Sequence, residues 1–213
     1  MTRMRKALRL VGIVAAIAAT ASCGDVVRNG RAPVIIVVDS MAGASGKTTG
    51  GTFVNPLASD VLTLITTPLP CSTDKPCPTV FNDDGQVAMH LELKDQGAST
   101  TPSVASANNQ VTITRYHVHY TRADGHNTPG VDVPFDFDGA VTGTIPASGS
   151  VNIPFEIVRS AAKQESPLVQ LIASGTVITT ITEVTFYGTD LVGNAISAKA
   201  QMTIDFANFA DGQ

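Results

Sequence analysis

The strongest constraint on the fold is a series of segments in which apolar and polar residues alternate along the chain. In residues 86–94 every second side chain is apolar, at Val87, Met89, Leu91 and Leu93. The same alternation recurs in three further segments, residues 111–121, 131–138 and 150–158. Strict alternation predicts strands with one buried and one solvated face, which is the usual pattern of antiparallel sheets. The chain is therefore predicted to be all-β.

Apolar, β-branched runs add further strands around these segments. They are residues 33–39, 61–66, 176–187 and 195–206. Only residues 160–172 have a helical pattern, whereas residues 40–52 are rich in Gly, Ser, Ala and Thr and are predicted to be a flexible loop. About eight strands and one short helix indicate a two-layer antiparallel β-sandwich.

The hairpin formed by residues 111–121 and 131–138 is the sharpest structural prediction. Consecutive strands separated by so short a loop usually pair antiparallel. One register places Tyr116 opposite Phe135 on the buried face and His119 opposite Asp132 on the exposed face. A slip by two residues keeps the faces and changes the partners, so the pairing stays open. In either register Phe135 is predicted to be buried.

A turn near the C-terminus resembles a motif of known domains. Tyr187, Asp190, Gly193 and Asn194 fit the pattern Tyr-x-x-Asp-x-x-Gly-Asn, and an alternating strand follows. This resembles the last two strands of bacterial immunoglobulin-like domains. The resemblance implies an immunoglobulin-like antiparallel β-sandwich, a fold that mostly serves adhesion, spacing or ligand display. A fold alone does not settle function.

The N-terminal segment has the pattern of an export signal. It begins with a basic region, and residues 10–22 are uncharged and mostly apolar. Such a run is too short for a spanning helix, which needs roughly 20 apolar residues, but it suits the apolar region of a signal peptide. Residues 1–22 are therefore predicted to be a signal peptide.

The residues that end this segment, Thr20-Ala21-Ser22-Cys23, resemble the lipobox of bacterial lipoproteins, although that family most often has leucine at the position of Thr20. The resemblance implies palmitate-type acylation at Cys23. Residues 23–32 are then predicted to be a tether, and the strand pattern predicts the β-sandwich domain over residues 33–213. Cleavage by an ordinary signal peptidase near Ala21 is the alternative. Since Gly24 stands where an aspartate would retain a lipoprotein in the inner membrane, the outer membrane is favoured in a cell with two membranes.

The charge of the mature chain excludes several classes of partner. Removal of the basic residues Arg3, Arg5, Lys6 and Arg9 leaves 10 basic against 18 acidic residues, a net charge of −8. Nucleic acids and anionic lipid surfaces are bound through basic patches, so neither is expected as a partner. The catalytic patterns Gly-x-Ser-x-Gly and His-Glu-x-x-His are absent. No enzymatic activity and no cofactor are predicted.

Two cysteines remain in the predicted domain, Cys71 and Cys77, and they flank a turn-rich stretch. Nearby cysteines in an oxidising compartment usually pair. Pro76 and Pro78 disfavour the helix that a redox-active Cys-x-x-Cys motif normally opens. A structural disulfide between Cys71 and Cys77 is therefore predicted.

The candidate binding residues lie in and beside the central hairpin. The polar loop carries Arg122, Asp124, His126 and Asn127, and loops at the ends of β-sandwiches often bind ligands. A structured connection is the alternative for this loop. His117 and His119, with Asp132, form a candidate set of metal ligands, and a solvated polar face is the alternative.

These features predict a membrane-anchored lipoprotein of the bacterial cell envelope or cell surface, with a non-enzymatic structural or binding role. Its predicted partners are the membrane, through the lipid anchor, and an envelope protein or a glycan. A carbohydrate- or metal-binding module is the second hypothesis, and a hydrolase is the third.

Overall fold

The chain folds predominantly into strands. The computed structural model describes residues 30–46, 51–97, 100 and 103–209, so the predicted signal peptide and Cys23 lie outside the described residues. Strands account for 52% and helices for 8% of the structure, which confirms the all-β prediction. The strands are β1 (Val34–Ala44), β2 (Leu57–Asp60), β3 (Thr63–Ile65), β4 (Cys77–Thr79), β5 (Asp83–Leu93), β6 (Val111–Thr121), β7 (Phe137–Ile145), β8 (Val151–Val158), β9 (Ile178–Asp190) and β10 (Ala195–Ala207).

The helical segment is broken into short pieces. It consists of α1 (Ser160–Lys163), a 3₁₀-helix (Leu168–Gln170) and α2 (Leu171–Ser174), so the prediction of one short helix is wrong in number although right in place. Pro167 lacks the backbone N–H that a continuous helix needs. Gly175 then ends α2 with a left-handed φ of 62°. Within the described ranges, no helix is both long and apolar enough to cross a membrane.

Two sheets contain most of the strands. The three-stranded sheet has the order β1-β5-β8 and is antiparallel. The five-stranded sheet has the order β2-β10-β9-β6-β7, is curved like half a barrel, and is antiparallel except for the parallel pair β2–β10. β3 and β4 form a separate small hairpin.

Side chains from the two sheets meet in one core. Tyr116 of β6 lies edge-to-face with Phe155 of β8, with ring centroids 5.2 Å apart. Phe155 in turn lies 5.1 Å from Phe186 of β9. The buried Tyr120 hydroxyl donates a hydrogen bond of 2.6 Å to the Ile157 carbonyl of the opposite sheet. The core therefore lies between the two sheets, as alternation on β6 predicts.

The register gives the molecule two distinct ends. At the first end, called the entry end, β1 begins beside the end of β5 at the Val34–Leu93 pair. The β9–β10 turn lies at the same end, because Val34 and Ala195 line one cleft. The opposite end, called the loop end, carries the connection from β6 to β7 and the helical connection from β8 to β9.

The central hairpin differs from its predicted register. β7 begins at Phe137, so Phe137 lies opposite Val118 and Gly139 lies opposite Tyr116. Phe135 is 55% exposed, and the prediction that it is buried is wrong. Pro134 has no N–H for a strand ladder, and the Gly130 N–H instead bonds to the Val133 carbonyl at 2.8 Å. The segment predicted as a strand is therefore a compact loop until Phe137.

β1 also extends beyond its predicted end. Residues 40–44 pair with β5 from Ser40–Ala88 to Ala44–Asp84, so the prediction that they belong to a flexible loop is wrong. A bulge between Val38 and Ser40 precedes this extension. Residues 40–44 form a strand because they pair with β5, although their own composition favours a loop.

The β3–β4 hairpin is closed by the predicted disulfide. Cys71 and Cys77 are bonded, with their Cα atoms 5.3 Å apart. Cys77 is the first residue of β4 and pairs with Ile65 of β3. The bond therefore closes the loop that joins the two strands, as predicted for a structural disulfide.

Candidate functional site

The predicted binding loop is ordered by its own side chains. Arg122 forms an ion pair with Asp124, and the Arg122 backbone N–H donates a hydrogen bond to Asn127 Oδ1. The His126 N–H donates to Asp124 Oδ1 at 3.1 Å. The hydrogen bond from Arg122 is the main cause that lowers the pKa of Asp124. The four candidate residues therefore meet in one loop and are linked by these contacts.

Two apolar side chains extend this loop surface. Val131 is 65% exposed and Phe135 is 55% exposed. The Phe135 ring lies over Gly130, whose φ of 76° and missing Cβ allow that close approach. Exposed apolar residues also lie outside this loop: Leu69, Val104, Val177, Leu191 and Val192. With the exposed imidazole of His126, Val131 and Phe135 give the loop both polar and apolar exposed groups.

Asp132 does not join the two histidines with which it was predicted to bind metal. Its carboxylate accepts the Thr128 N–H at 3.0 Å, and this backbone hydrogen bond is the main cause that lowers its pKa. His119 instead contacts Asp136, and His117 contacts Asp138. In the described part of the chain, no group of three or more His, Cys, Asp or Glu side chains is arranged to hold a metal ion. The predicted set is therefore corrected to two histidine–aspartate pairs.

A buried polar cluster lies beneath the loop end and was missed by the sequence reasoning. Asp83 accepts hydrogen bonds from Ser59 Oγ at 2.5 Å, from Lys163 Nζ at 2.8 Å and from the Gly46 N–H at 3.0 Å. The side chains of Asp83 and Lys163 are at most 1% exposed. Burial raises the pKa of Asp83, and the charge of Lys163 opposes that rise. The cluster joins β2, β5, α1 and the end of β1.

Lys163 also belongs to a sequence pattern found in serine acyl-enzymes. Ser160-Ala161-Ala162-Lys163 has the spacing Ser-x-x-Lys. The Lys163 ammonium is directed to Asp83, and among the described contacts none joins it to Ser160. The structure therefore gives this lysine a structural partner and does not form a Ser–Lys dyad.

The entry end carries a cleft and the turn that resembles immunoglobulin-like domains. The cleft has a volume of about 770 Å³ and is lined in part by Lys94, Arg115 and Tyr187. In the turn, Asp190 Oδ1 accepts the N–H groups of Val192 at 3.0 Å and Asn194 at 2.8 Å. Burial acts to raise the pKa of Asp190, but hydrogen bonds from the Asn194 side chain and from these N–H groups hold the pKa below its usual value. The aspartate therefore closes the turn between β9 and β10.

Comparison with known proteins adds little to this geometry. No protein-family model matches the chain, and no curated protein matches it. One similar solved structure is the X-ray structure of Northeast Structural Genomics Consortium target SoR45, with 11% sequence identity and a TM-score of 0.35. The match covers 82% of this chain and 86% of that chain. At that TM-score the likeness supports no argument about fold or function.

Proposed function

We propose that this protein is a lipid-anchored component of the bacterial cell envelope, and that its domain holds a binding surface away from the membrane. One observation carries the proposal: the chain enters the domain at one end, and the β6–β7 loop lies at the other. An anchor at Cys23 would leave this loop, with His126, Val131 and Phe135, facing away from the lipid. The proposed role is non-enzymatic, and the proposed partner is an envelope protein or a glycan.

The strand order supports an immunoglobulin-like interpretation of the domain. In that fold, strands A, B and E share one sheet and strands C, F and G share the other. Here β1, β5 and β8 form one sheet, and β6, β9 and β10 lie together in the other. The curvature of the five-stranded sheet is a departure, as is the lack of a described strand beside β8 in the position of strand D. Scaffolds of this kind present their loops at the two ends of the sandwich.

The proposed anchor depends on the lipobox-like residues that end at Cys23. Acyl chains attach a protein stably when two or more are present. The mature net charge of −8 would oppose adsorption to anionic lipid. The acyl chains would therefore supply the main membrane contact. In a cell with two membranes, we place the protein at the outer one.

Substitution of Cys23 with serine should release the protein into the soluble fraction. The expected result follows because the variant keeps the whole domain and loses only the acylated thiol. Fractionation of cells after a salt wash, followed by immunoblotting, measures the distribution. The double variant Cys71→Ser/Cys77→Ser is the matched control, and it should stay with the membranes. A Cys23→Ser variant that stays in the membrane fraction would falsify the anchor.

A further inference from the structure

β6 presents two imidazoles on one exposed face. Side chains at alternate positions of a strand point to the same side, so His117 and His119 are neighbours. Their side chains are 33% and 46% exposed. Tyr116, Val118 and Tyr120, which alternate with them, are buried and fix the strand beneath. The two rings therefore stand side by side on a rigid support.

Each imidazole lies beside its own carboxylate, and the His119–Asp136 contact is a hydrogen bond. His119 Nδ1 lies 2.6 Å from Asp136 Oδ2, and His117 Nδ1 lies 3.3 Å from Asp138 Oδ1. Among the described contacts, neither Nε2 atom has a partner. A carboxylate at Nδ1 places the proton there and leaves the Nε2 lone pair free, which is the usual arrangement of metal-binding histidines. The histidine–aspartate pairing is an observation separate from the spacing of the two histidines, and both point to a metal ion as the ligand.

The neighbouring cations on this face are already paired. The Arg115 guanidinium lies 4.3 Å from the centroid of the Tyr187 ring and 3.9 Å from Asp138. Lys199 Nζ forms an ion pair of 2.6 Å with Glu183, which lies opposite His119 on β9. Carboxylates compensate the charges of Arg115 and Lys199. These two cations therefore repel a divalent cation at the two histidines only weakly.

We propose that His117 and His119 bind one divalent transition-metal ion through their Nε2 atoms. Asp138 and Asp136 act as positioning residues that orient the rings. Imidazole ligands suit zinc, copper and nickel. Two protein ligands leave positions for water or for a donor group from a binding partner. The ion is therefore exchangeable. The site lies beside the loop that we propose as the binding surface, but the metal site does not depend on that proposal.

Zinc titration of the full, untagged, detergent-solubilised protein tests this site by isothermal calorimetry. One equivalent of Zn²⁺ should bind, and His117→Ala or His119→Ala should each weaken binding at least tenfold. Asp136→Asn and Asp138→Asn should weaken it by roughly 10–100-fold, the usual effect of losing a carboxylate that supports a ligand. Binding should also weaken in acid, because a protonated imidazole cannot ligate a metal. Thermal unfolding without zinc shows whether each variant is folded.

His90→Ala is the matched control for the titration. His90 Nδ1 also contacts an aspartate, Asp39, at 2.7 Å, but β5 carries no second histidine. The control should bind zinc like the unmodified protein. Absence of a stoichiometric site would overturn the proposal. So would a loss of affinity in His90→Ala equal to that in His119→Ala, since this would show only adventitious binding to surface imidazoles.

Discussion

Substitution of Lys163 with methionine should lower the free energy of unfolding by about 3–5 kcal/mol, because it leaves a buried carboxylate without its partner. Asp83 accepts the Lys163 ammonium at 2.8 Å, and both side chains are buried. Urea denaturation measures the change through the transition midpoint at constant slope. Lys199→Met is the matched control, since its ion pair with Glu183 is exposed, and it should produce little change.

The loss in Lys163→Met should depend on pH in a definite direction. Burial already raises the pKa of Asp83, and removal of the lysine takes away the main opposing effect. A carboxyl group whose pKa is raised on folding is stabilising when protonated and loses that contribution as pH rises through the folded-state pKa. The variant should therefore be least destabilised in acid and most destabilised near neutrality. The double variant Asp83→Leu/Lys163→Met should recover much of the loss. Equal effects of Lys163→Met and Lys199→Met would contradict this account of the cluster.

Substitution of Phe186 with alanine should cost about 3–5 kcal/mol through lost burial and the cavity left behind. Phe186 is fully buried, lies beside Tyr116 of the neighbouring strand β6, and packs edge-to-face against Phe155 of the opposite sheet. Phe135→Ala is the matched control because that ring is half exposed, and its effect should be about 0.5 kcal/mol or less. Thermal or denaturant unfolding of both variants gives the comparison. If Phe135→Ala were the more damaging change, residues 131–136 would form a buried strand after all.

The alternation on β6 could be predicted from sequence because a period of two needs no distant information. Tyr116, Val118 and Tyr120 are buried as the pattern indicates. The same rule fails at Phe135, because Pro134 and the turn at Gly130 interrupt the backbone pairing that alternation assumes. The turn residues determine the conformation of this segment, and the pattern of apolar residues alone does not predict that conformation.

The sites were predictable to different degrees. The sequence indicates that His117 and His119 share an exposed face, but the shifted register replaces Asp132 with Asp136 and Asp138 as their partners. The Asp83–Lys163 pair has no local signature, since its members are 80 residues apart and meet only when α1 folds over β5. Charged residues in a turn-rich stretch normally indicate solvent exposure, and tertiary packing reverses that expectation here.

Energy transfer from the bilayer surface to each end of the domain tests the central claim most directly. The full lipidated protein would be placed in vesicles with acceptor dyes on the lipid headgroups, and a donor would be attached to His126→Cys or to Val192→Cys. Both positions are exposed, at the loop end and the entry end respectively. β6 has 11 residues, so at roughly 3.3 Å per residue the two ends of the domain lie about 35 Å apart along the strand. The account predicts strong transfer from position 192 and weak transfer from position 126. Equal transfer from both positions, or stronger transfer from position 126, would contradict the claim that the domain is anchored at Cys23 with its loop end away from the membrane.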